Sequence, residues 1–282
     1  MPRIITEDNA MEEYTGLAAI FVRHRGGAPR FIGTGFWITR DGVFVTARHV
    51  IDDNIGEDGK DIANIAAIQF LEGPEGMTHI SRPLRYTSRH KIFDLAVCTT
   101  AQARGADGQL LTGNVQTMTL EVPELGSPIS THSFHDPQSD TTVEKSAPPH
   151  QAILRWTGAF QADPDFETTL QLSTRWTAGH VTGHFSAGRD RVMLPSPCIQ
   201  SDIPIYGGMS GGPVFDQRGR VCAVNCTSFD GTDVAYHVPV GGILNLVVPN
   251  GIFGEDGPRE WTVRELEGRD VVAFDPPIPS DV

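Results

Sequence analysis

A serine flanked by glycines is the residue of this sequence best suited to nucleophilic chemistry. Ser210 lies in the run Gly207-Gly208-Met209-Ser210-Gly211-Gly212-Pro213. A serine hydroxyl is a weak nucleophile at neutral pH, so it needs an adjacent base and preorganised donors for the oxyanion that it creates. Glycines on both sides let the backbone turn sharply and direct N–H groups toward a reacting carbonyl. The run therefore predicts acyl-transfer chemistry at Ser210.

The same spacing also describes the nucleophile elbow of α/β-hydrolases, which is the main alternative for this run. An elbow requires a helix directly after the serine, and Gly211, Gly212 and Pro213 disfavour a helix there. In that fold an acid and then a histidine follow the serine. Here the single histidine after Ser210 is His237, and it stands in a strand-like run. The sequence therefore disfavours an α/β-hydrolase.

Two further residues supply the groups that an activated serine needs. His49 follows an apolar strand at residues 44–46, and Asp94 stands before the apolar run at residues 95–97. A lone histidine or aspartate is usually structural, but with a serine the pair can form a base and the acid that orients it. We predict Ser210 as nucleophile, His49 as general base and Asp94 as the orienting acid.

Short boxes around these residues resemble those of trypsin-like serine proteases. Thr46-Ala47-Arg48-His49 resembles the Thr-Ala-x-His box of that family, and Asp94-Leu95-Ala96-Val97 resembles its Asp-[Ile/Leu]-Ala-[Val/Leu] box. Gly208-Met209-Ser210-Gly211-Gly212-Pro213 resembles its Gly-x-Ser-Gly-Gly-Pro box. The order histidine, aspartate, serine is also that of the family.

The residues around the serine resemble the bacterial Deg/Htr branch of this family most. Ile199-Gln200-Ser201-Asp202 is similar to an Ile-Gln-Thr-Asp run of that branch, and residues 219–225 resemble the strand that follows its serine loop. Tyr236-His237-Val238-Pro239 resembles the Phe-Ala-Ile-Pro run that closes its protease domain. The residues after Pro239 are too few for the regulatory PDZ domain of that branch.

The resemblance implies an all-β fold of two six-stranded antiparallel β-barrels, with a short C-terminal helix and a tail. We expect His49 and Asp94 in an N-terminal barrel at residues 12–118, and Ser210 in a C-terminal barrel at residues 119–250. Residues 251–282 would form the tail, whose role is open.

The resemblance also implies how a peptide substrate binds. The backbone N–H groups of Gly208 and Ser210 would form the oxyanion hole, and substrate would add as an extended strand along residues 226–228. Asp233 would select Arg or Lys if it pointed into the specificity pocket, or would simply lie in the turn Asp230-Gly231-Thr232. The other expected substrate-binding residues favour an apolar residue before the scissile bond, and they are Ile205, Cys226, Thr227, Ser228, Phe229 and Val234.

Two residues depart from the family pattern. Met209 stands where digestive proteases have an aspartate that pairs with a newly cut N-terminus, so we predict no such zymogen switch. A loop- or partner-controlled switch stays open. Cys226 stands where relatives have a serine or threonine that donates to the catalytic acid. A thiol is a weaker donor, which predicts that Asp94 is held less tightly.

The composition limits the kinds of binding partner and the cellular compartment expected for the protein. The net charge is −13 and no basic stripe is present, which argues against nucleic-acid binding. The apolar run at residues 16–22 is too short for a membrane span and follows Glu12 and Glu13, so we interpret it as the first strand and expect no membrane partner. A cytoplasmic location is expected, with protein or peptide substrates. The oligomeric state is open.

The cysteines and the remaining histidines do not predict a metal site or a cofactor. The four cysteines Cys98, Cys198, Cys222 and Cys226 lack zinc-site spacing, and a disulfide along one strand is geometrically poor. We predict free buried thiols, which suit a reducing compartment. His180 and His184 lack the acidic partner of a zinc-protease motif.

Apolar runs between turn residues indicate β-structure along most of the chain. Asp41-Gly42 predicts a hairpin, residues 101–118 a connection between halves, residues 135–150 an exposed loop and residues 242–248 a short helix. Predicted strands are residues 18–22, 34–39, 43–46, 66–70, 95–99, 152–157, 168–176, 192–194, 213–215, 220–226 and 234–238.

The function predicted from the sequence is that of a serine endopeptidase. The alternatives are a peptide-binding pseudo-protease without turnover and an esterase on the same scaffold. An intact set of His49, Asp94 and Ser210 with its glycines argues against the pseudo-protease, since a degenerate relative usually loses one of these.

Overall fold

Strands dominate the structure, and its helices are short. The structure, a computed structural model, describes residues 16–23, 27–55, 64–73, 76–136, 150–156, 166–192, 194–229, 232–251, 259–269 and 271–279. Its strands are β1 (Leu17–Val22), β2 (Arg30–Trp37), β3 (Val43–Thr46), β4 (Ile65–Gly73), β5 (Gly76–Arg89), β6 (Ala96–Thr100), β7 (Pro128–His135), β8 (His150–Trp156), β9 (Phe166–Phe185), β10 (Cys198–Ser201), β11 (Pro213–Phe215), β12 (Val221–Ser228), β13 (Ala235–Pro239), β14 (Val247–Gly251) and β15 (Arg259–Thr262). Its helices are α1 (Arg48–Asp52), α2 (Val263–Glu267) and a 3₁₀-helix at Val240–Ile243. None of the helices in these ranges has the length and apolar character to cross a membrane.

The first barrel is closed by β1, β2, β3, β6, β5 and β4, which hydrogen-bond in that order. The position of β1 in this barrel explains why its sequence is apolar throughout. Successive side chains of a strand point to opposite faces. Alternate residues from Ala18 to Val22 join the main core, whereas the others, from Leu17 to Phe21, pack with Phe134 of the second barrel. Both faces of β1 are therefore buried.

The hairpin predicted at Asp41-Gly42 is confirmed, and it joins β2 to β3. The N–H groups of Ile38 and Thr39 donate to the carbonyl of Val43 at 2.9 and 3.2 Å. The Thr39 hydroxyl donates to the Asp41 carboxylate at 2.8 Å. This hairpin sets the direction of β3, which leads to His49.

The second barrel consists of β10, β13, β12, β11, β7 and β9, and pairing between β9 and β10 closes it. β9 has 20 residues and three partners in turn: β8 along its first part, β7 along its middle and β10 along its end. The predicted fold of two six-stranded antiparallel barrels is confirmed, and β8 is an additional strand outside the ring.

The C-terminal residues return to the barrels. β14 pairs with β15, and Thr262 caps α2 in a capping box. Trp261 is fully buried. The N–H of Met118 donates to the carbonyl of Ala273 at 2.9 Å, and the N–H of Asp275 donates to the carbonyl of Met118 at 2.8 Å. The C-terminal residues thus bind the connection between the two barrels.

Two local predictions are wrong. Residues 242–248 do not form one helix, because the chain makes the 3₁₀-helix Val240–Ile243 and then enters β14 at Val247. β-branched Val247 and Val248 pair with β15, which a helix would prevent. Residue 192 is not in a strand, because the Asp190 carboxylate accepts from the Val192 N–H at 2.9 Å and forms a turn. The strand before the serine loop is β10.

Parts of other predictions fall outside the described residues. Residues 137–149, most of the predicted loop at 135–150, are among them, while His135 belongs to β7 and His150 to β8. Residues 12–15, 252–258 and 280–282 of the predicted domains also lie outside. The domain boundaries stay a prediction.

The prediction of free buried thiols is confirmed. All four cysteines are buried and unpaired with one another. Burial raises the pKa of Cys98 and of Cys222 to about 12. These thiols are therefore protonated and unreactive near neutral pH.

Candidate active site

His49 lies in the first turn of α1, directly after β3. Ala47, in an extended conformation, precedes this short helix. The backbone N–H of His49 donates to Oδ1 of Asp94 at 2.9 Å, and ring atom Nδ1 lies 2.7 Å from Oδ2. One carboxylate thus contacts both the backbone and the ring of His49. These two contacts fix the ring and leave Nε2 as the nitrogen available for other chemistry.

The loop that carries Asp94 is held by His90 and Arg48, two residues that the sequence analysis missed. Nδ1 of His90 accepts from the N–H groups of the second and third residues after it, at 3.1 and 2.9 Å. Arg48, the neighbour of His49, donates to the carbonyl of His90 at 2.9 Å. Burial and the charge of Arg48 lower the pKa of His90, which keeps Nδ1 an acceptor.

The two catalytic candidates shift each other's pKa in opposite directions. Burial is the largest influence on His49 and lowers its pKa, but the hydrogen bond to Asp94 and the charge of Asp94 outweigh it. The pKa of His49 therefore lies above its ordinary 6.5. Burial raises the pKa of Asp94, but its hydrogen bond to His49 and the charge of His49 lower it below 3.8. Asp94 is therefore ionised wherever the protein is assayed near neutrality.

The raised pKa of His49 predicts where activity is lost in acid. A general base must be neutral, so kcat/KM is expected to fall as the pH drops through an apparent pKa above 6.5. The charge of Asp53 also raises the pKa of His49. Asp53→Asn should therefore move this acid limb to lower pH with little change in the plateau, as measured by kcat/KM against pH. An acid limb below 6.5 in the wild type would contradict the arrangement.

The turn that carries Ser210 depends on two glycines. Gly208 has φ +86° and Gly211 has φ +83°, in the left-handed region that L side chains rarely adopt. Between them Met209 is fully buried, and its N–H donates to the carbonyl of Tyr206 at 3.0 Å. The backbone therefore presents Ser210 at the apex of a tight turn.

This turn lies directly against the first barrel. The N–H of Thr34 in β2 donates to the carbonyl of Ser210 at 2.9 Å, and the Thr34 hydroxyl donates to the carbonyl of Gly208 at 2.8 Å. A Cβ on Gly211 would overlap the Thr46 hydroxyl and the Thr34 carbonyl. The nucleophile turn from the second barrel is thereby placed beside the residues that lead into His49.

Gly211→Ala is expected to damage both folding and activity. A methyl group there would overlap backbone atoms of β2 that cannot move aside, in addition to the left-handed strain. We expect kcat/KM to fall by at least about 10²-fold, as for a misplaced catalytic group, together with a lower Tm.

Gly219→Ala is the matched control for this substitution. Gly219 has φ +76°, but nothing lies within 4 Å of an added Cβ. It should cost about 1–2 kcal/mol of stability from backbone strain and leave kcat/KM unchanged. Equal effects of the two substitutions would show that close packing of the turn on β2 is unimportant.

The hydroxyl and the N–H groups of the turn have different partners. Oγ of Ser210 donates to the carbonyl of Cys226 at 3.4 Å, and within the described ranges it makes no hydrogen bond to His49. The carbonyl of Gly207 accepts from the N–H of Asp136 at 2.9 Å. Since C=O and N–H of a trans peptide point in opposite directions, the N–H of Gly208 points away from Asp136. In the part of the chain that the structure describes, no acceptor bonds the N–H of Gly208 or of Ser210.

Comparison with known proteins identifies the family. A model of the trypsin-like peptidase domain matches residues 33–224, more than half of the chain, and this span includes His49, Asp94 and Ser210. The chain belongs to the trypsin-like peptidase family. No curated protein matches it. Among solved structures, the crystal structure of Deg5 is similar with a TM-score of 0.49 and 20% identity, over 84% of this chain and 92% of that chain. Nothing about function follows from a likeness of this size.

In this trypsin-like peptidase the edge predicted to bind substrate is unpaired. β12 pairs with β13 along its whole second half. Its pairing with β11 ends at Val224, opposite Pro213. On the side opposite β13, residues 226–228 have no strand partner within the described part of the chain. An edge without a strand partner can pair with an extended peptide.

Several of the predicted pocket residues lie together. The Ser228 hydroxyl donates to the carbonyl of Ile205 at 3.2 Å, and half-buried Ile205 packs against the core of the second barrel. The N–H of Phe229 donates to the carbonyl of Val234 at 3.2 Å. Asp233 is exposed in the turn between these last two residues. Asp230 and Gly231 of the turn interpretation lie outside the described residues, so that interpretation stays a prediction.

Two arginines beside these residues carry no signal in the sequence. The Arg189 guanidinium lies 4.5 Å from the ring centre of Phe229 and 4.7 Å from that of Tyr236. The Arg175 guanidinium lies 4.1 Å from the ring centre of Tyr206. Each arginine stacks on an aromatic residue far along the chain, so no local pattern could identify it.

The departures at Met209 and Cys226 have direct structural consequences. Met209 is fully buried, and its Sδ lies 3.3 Å from the N–H of Tyr206. The Cys226 thiol lies 3.8 Å from the carbonyl oxygen of Asp94 and 3.4 Å from that of Val224. The Asp94 carboxylate accepts its two closest hydrogen bonds from His49, and the Cys226 thiol makes a smaller contribution to lowering the pKa of Asp94.

Proposed function

We propose that this trypsin-like peptidase is a serine endopeptidase that uses Ser210, His49 and Asp94. The observation that carries the proposal is the double contact of Asp94 with His49, at 2.9 and 2.7 Å, beside a nucleophile turn anchored to β2. Membership of a peptidase family supplies the substrate class, which is proteins or peptides.

The proposed reaction begins with attack of Ser210 on the scissile carbonyl. Nε2 of His49 takes the hydroxyl proton as the Oγ–C bond forms, and Asp94 stabilises the resulting imidazolium through Nδ1. His49 then gives this proton to the leaving amine as the C–N bond breaks, which leaves an acyl-enzyme. Water, activated by His49 in the same way, releases the carboxylic acid and restores Ser210.

The oxyanion hole is proposed to consist of the N–H groups of Gly208 and Ser210. Neither group is used by another acceptor among the described residues, so both are free to donate to a developing negative charge. Removing one such donor typically costs about 10²–10³ in rate. Substrate would lie along residues 226–228 as a strand antiparallel to that edge.

The residue before the scissile bond is proposed to be apolar. Ile205 and Val234 are half-buried and pack against apolar cores, whereas Asp233 is exposed. An apolar side chain gains burial against such residues, while a basic one would leave its charge without a buried partner. A cytoplasmic location is also proposed, which the free thiols favour.

One observation favours the second candidate, a peptide-binding protein without turnover. Oγ of Ser210 donates to the carbonyl of Cys226, a contact that occupies the proton that His49 must accept. The hydroxyl would have to leave this carbonyl before attack. The endopeptidase remains our proposal, because hydrogen bonds at a catalytic site often tighten only when substrate binds.

The test is a fluorophosphonate probe, followed by a diverse peptide library and simple esters. We expect the probe to label Ser210, as located by mass spectrometry, and the library to be cut after apolar residues. Absence of labelling and of cleavage would exclude the endopeptidase and leave the binding protein. Hydrolysis of esters with no cleavage of peptides would identify an esterase.

A further inference from the structure

A chain of buried polar side chains leads from the middle of the second barrel to the nucleophile turn. Ser201, Asn225 and His237 are fully buried. Oγ of Ser201 lies 2.7 Å from Nε2 of His237, and Nδ1 of His237 lies 3.0 Å from Oδ1 of Asn225. Buried polar groups cost free energy unless each is hydrogen-bonded, so a complete chain of this kind has defined proton positions.

The partners of Asn225 fix the orientation of its amide. Nδ2 lies 3.4 Å from the carbonyl oxygen of Met209, which can only accept. Nδ2 also lies 2.7 Å from Oγ1 of Thr131, whose own proton is donated to the carbonyl of Pro213 at 2.7 Å. Both neighbours therefore require a donor, and Oγ of Ser133, 3.3 Å from Nδ2, is a third acceptor for the same two protons. The nitrogen of the amide faces the nucleophile turn, and its oxygen faces His237.

This orientation in turn assigns the protons of His237. Oδ1 of Asn225 is an acceptor, so Nδ1 of His237 carries a proton and donates to it. Nε2 then accepts from the Ser201 hydroxyl, which itself accepts from the N–H of Ile203 at 3.2 Å. Burial lowers the pKa of His237 to about 3, so the ring is neutral near neutral pH. Every polar proton in this series of buried side chains therefore has an acceptor.

Asn225 also holds the turn through its backbone. Its N–H donates to the carbonyl of Gly212 at 2.9 Å, and its carbonyl accepts from the N–H of Gly211 at 2.8 Å. The side-chain amide of Asn225 also donates a hydrogen bond to Met209, so this one residue contacts the turn on both sides of Ser210. Because a peptide unit is planar, holding the carbonyl of Met209 also sets the direction of the Ser210 N–H.

We propose that Asn225 is a positioning residue for the oxyanion hole, and that His237 keeps its amide in the orientation that the hole requires. This inference rests on the proposed peptidase function of the site. Asn225 acts through the Met209–Ser210 peptide, whose N–H would donate to the oxyanion, and it does not contact substrate. His237 lies beside Asn225 because the two residues pair across β12 and β13.

Asn225→Asp tests the proposal by removing the donor at nearly constant shape. A carboxylate cannot donate to the carbonyl of Met209, which then retains the N–H of Gly212, at 3.1 Å, as its donor, so the Ser210 N–H is oriented less firmly. We expect kcat to fall by about 10²-fold with KM unchanged, the size seen when one oxyanion donor is lost. His237→Phe removes one partner of the amide and should lower kcat by about tenfold, again at constant KM.

Cys222→Ala is the matched control. Cys222 lies in the same strand, is buried, and hydrogen-bonds the carbonyl of Val214 at 3.3 Å. Its loss should lower Tm while kcat stays within about twofold of the wild type, since it does not contact the turn. The proposal would be overturned if folded Asn225→Asp kept a kcat within about twofold of the wild type. Where that variant does not fold, the same result in His237→Phe would overturn it.

Hydrogen exchange separates this inference from the peptidase proposal. The amides of Met209, Gly211 and Gly212, which are hydrogen-bonded within or beside the turn, should exchange faster in Asn225→Asp and in His237→Phe than in the wild type or Cys222→Ala. This result would support the positioning role even if the wild type cleaved nothing. Unchanged exchange in both variants would overturn it, whether or not the protein proves to be a peptidase.

Discussion

Ser210→Ala is expected to abolish covalent labelling by a fluorophosphonate probe and to lower kcat for peptide cleavage by about 10⁶-fold. The attacking oxygen is gone, and neither His49 nor the oxyanion N–H groups can replace it. A small residual rate above that of water should persist, since peptide binding and the oxyanion hole remain. The fold should be preserved, because among the described residues the hydroxyl makes a single hydrogen bond of 3.4 Å, to Cys226. Tm and peptide cleavage measured on the same preparation check both statements.

Ser127→Ala is the control for this substitution. Ser127 precedes β7, is half-buried, and contributes only backbone groups to the hydrogen bonds that hold its turn. Its replacement should leave labelling and cleavage at the wild-type level. If Ser210→Ala retained cleavage within about tenfold of the wild type, another group would have to be the nucleophile, and the proposed mechanism would be wrong.

The serine turn and the box before His49 were recognisable because each stands in a backbone setting that only certain residues allow. Gly211 must be glycine since its φ is positive and the Thr34 carbonyl blocks a side chain. The threonine in the box before His49, Thr46, has a role in the same contact. Its hydroxyl donates to that same carbonyl at 2.7 Å, beside Gly211. The residue types at these two positions are therefore set by the contact between the two barrels.

The fold was predictable in outline and not in its longer elements. The apolar pattern indicated a strand at residues 168–176, but β9 continues to Phe185 through polar residues. It continues because β7 and β10 pair with its second half, and those partners come from distant parts of the sequence. Trp261 is a similar case, since its burial depends on α2 and β14 folding back onto the barrels.

The residues that support the site were not predictable from local sequence. Asn225 and His237 are neighbours across two paired strands, a relation that only the register of β12 and β13 creates. His90 supports the Asp94 loop through a ring nitrogen that accepts from two backbone N–H groups. In both cases a polar side chain in the sequence has many equally plausible partners, and tertiary packing selects one.

Asp94→Asn is expected to lower kcat by about 10⁴-fold while leaving KM nearly unchanged. The backbone N–H of His49 lies 2.9 Å from one oxygen of Asp94 and can only donate. The amide oxygen of the asparagine must therefore take that position, which turns its NH₂ group toward Nδ1 of the ring. Nδ1 then becomes an acceptor, and the proton of the neutral ring moves to Nε2. In that tautomer His49 cannot take the proton of Ser210.

Asp53→Asn shows whether this loss arises from the tautomer or from a missing charge. Asp53 follows α1, and its charge raises the pKa of His49 without contact with the ring. Its replacement should shift only the acid limb of kcat/KM and leave the plateau within about twofold, because a distant charge adds little to the rate. Since both substitutions remove one negative charge near His49, a comparable fall in kcat at the plateau would mean that electrostatics, and not the hydrogen bond to Nδ1, carries the effect. A kcat for Asp94→Asn within about tenfold of the wild type would exclude Asp94 as the group that orients the base.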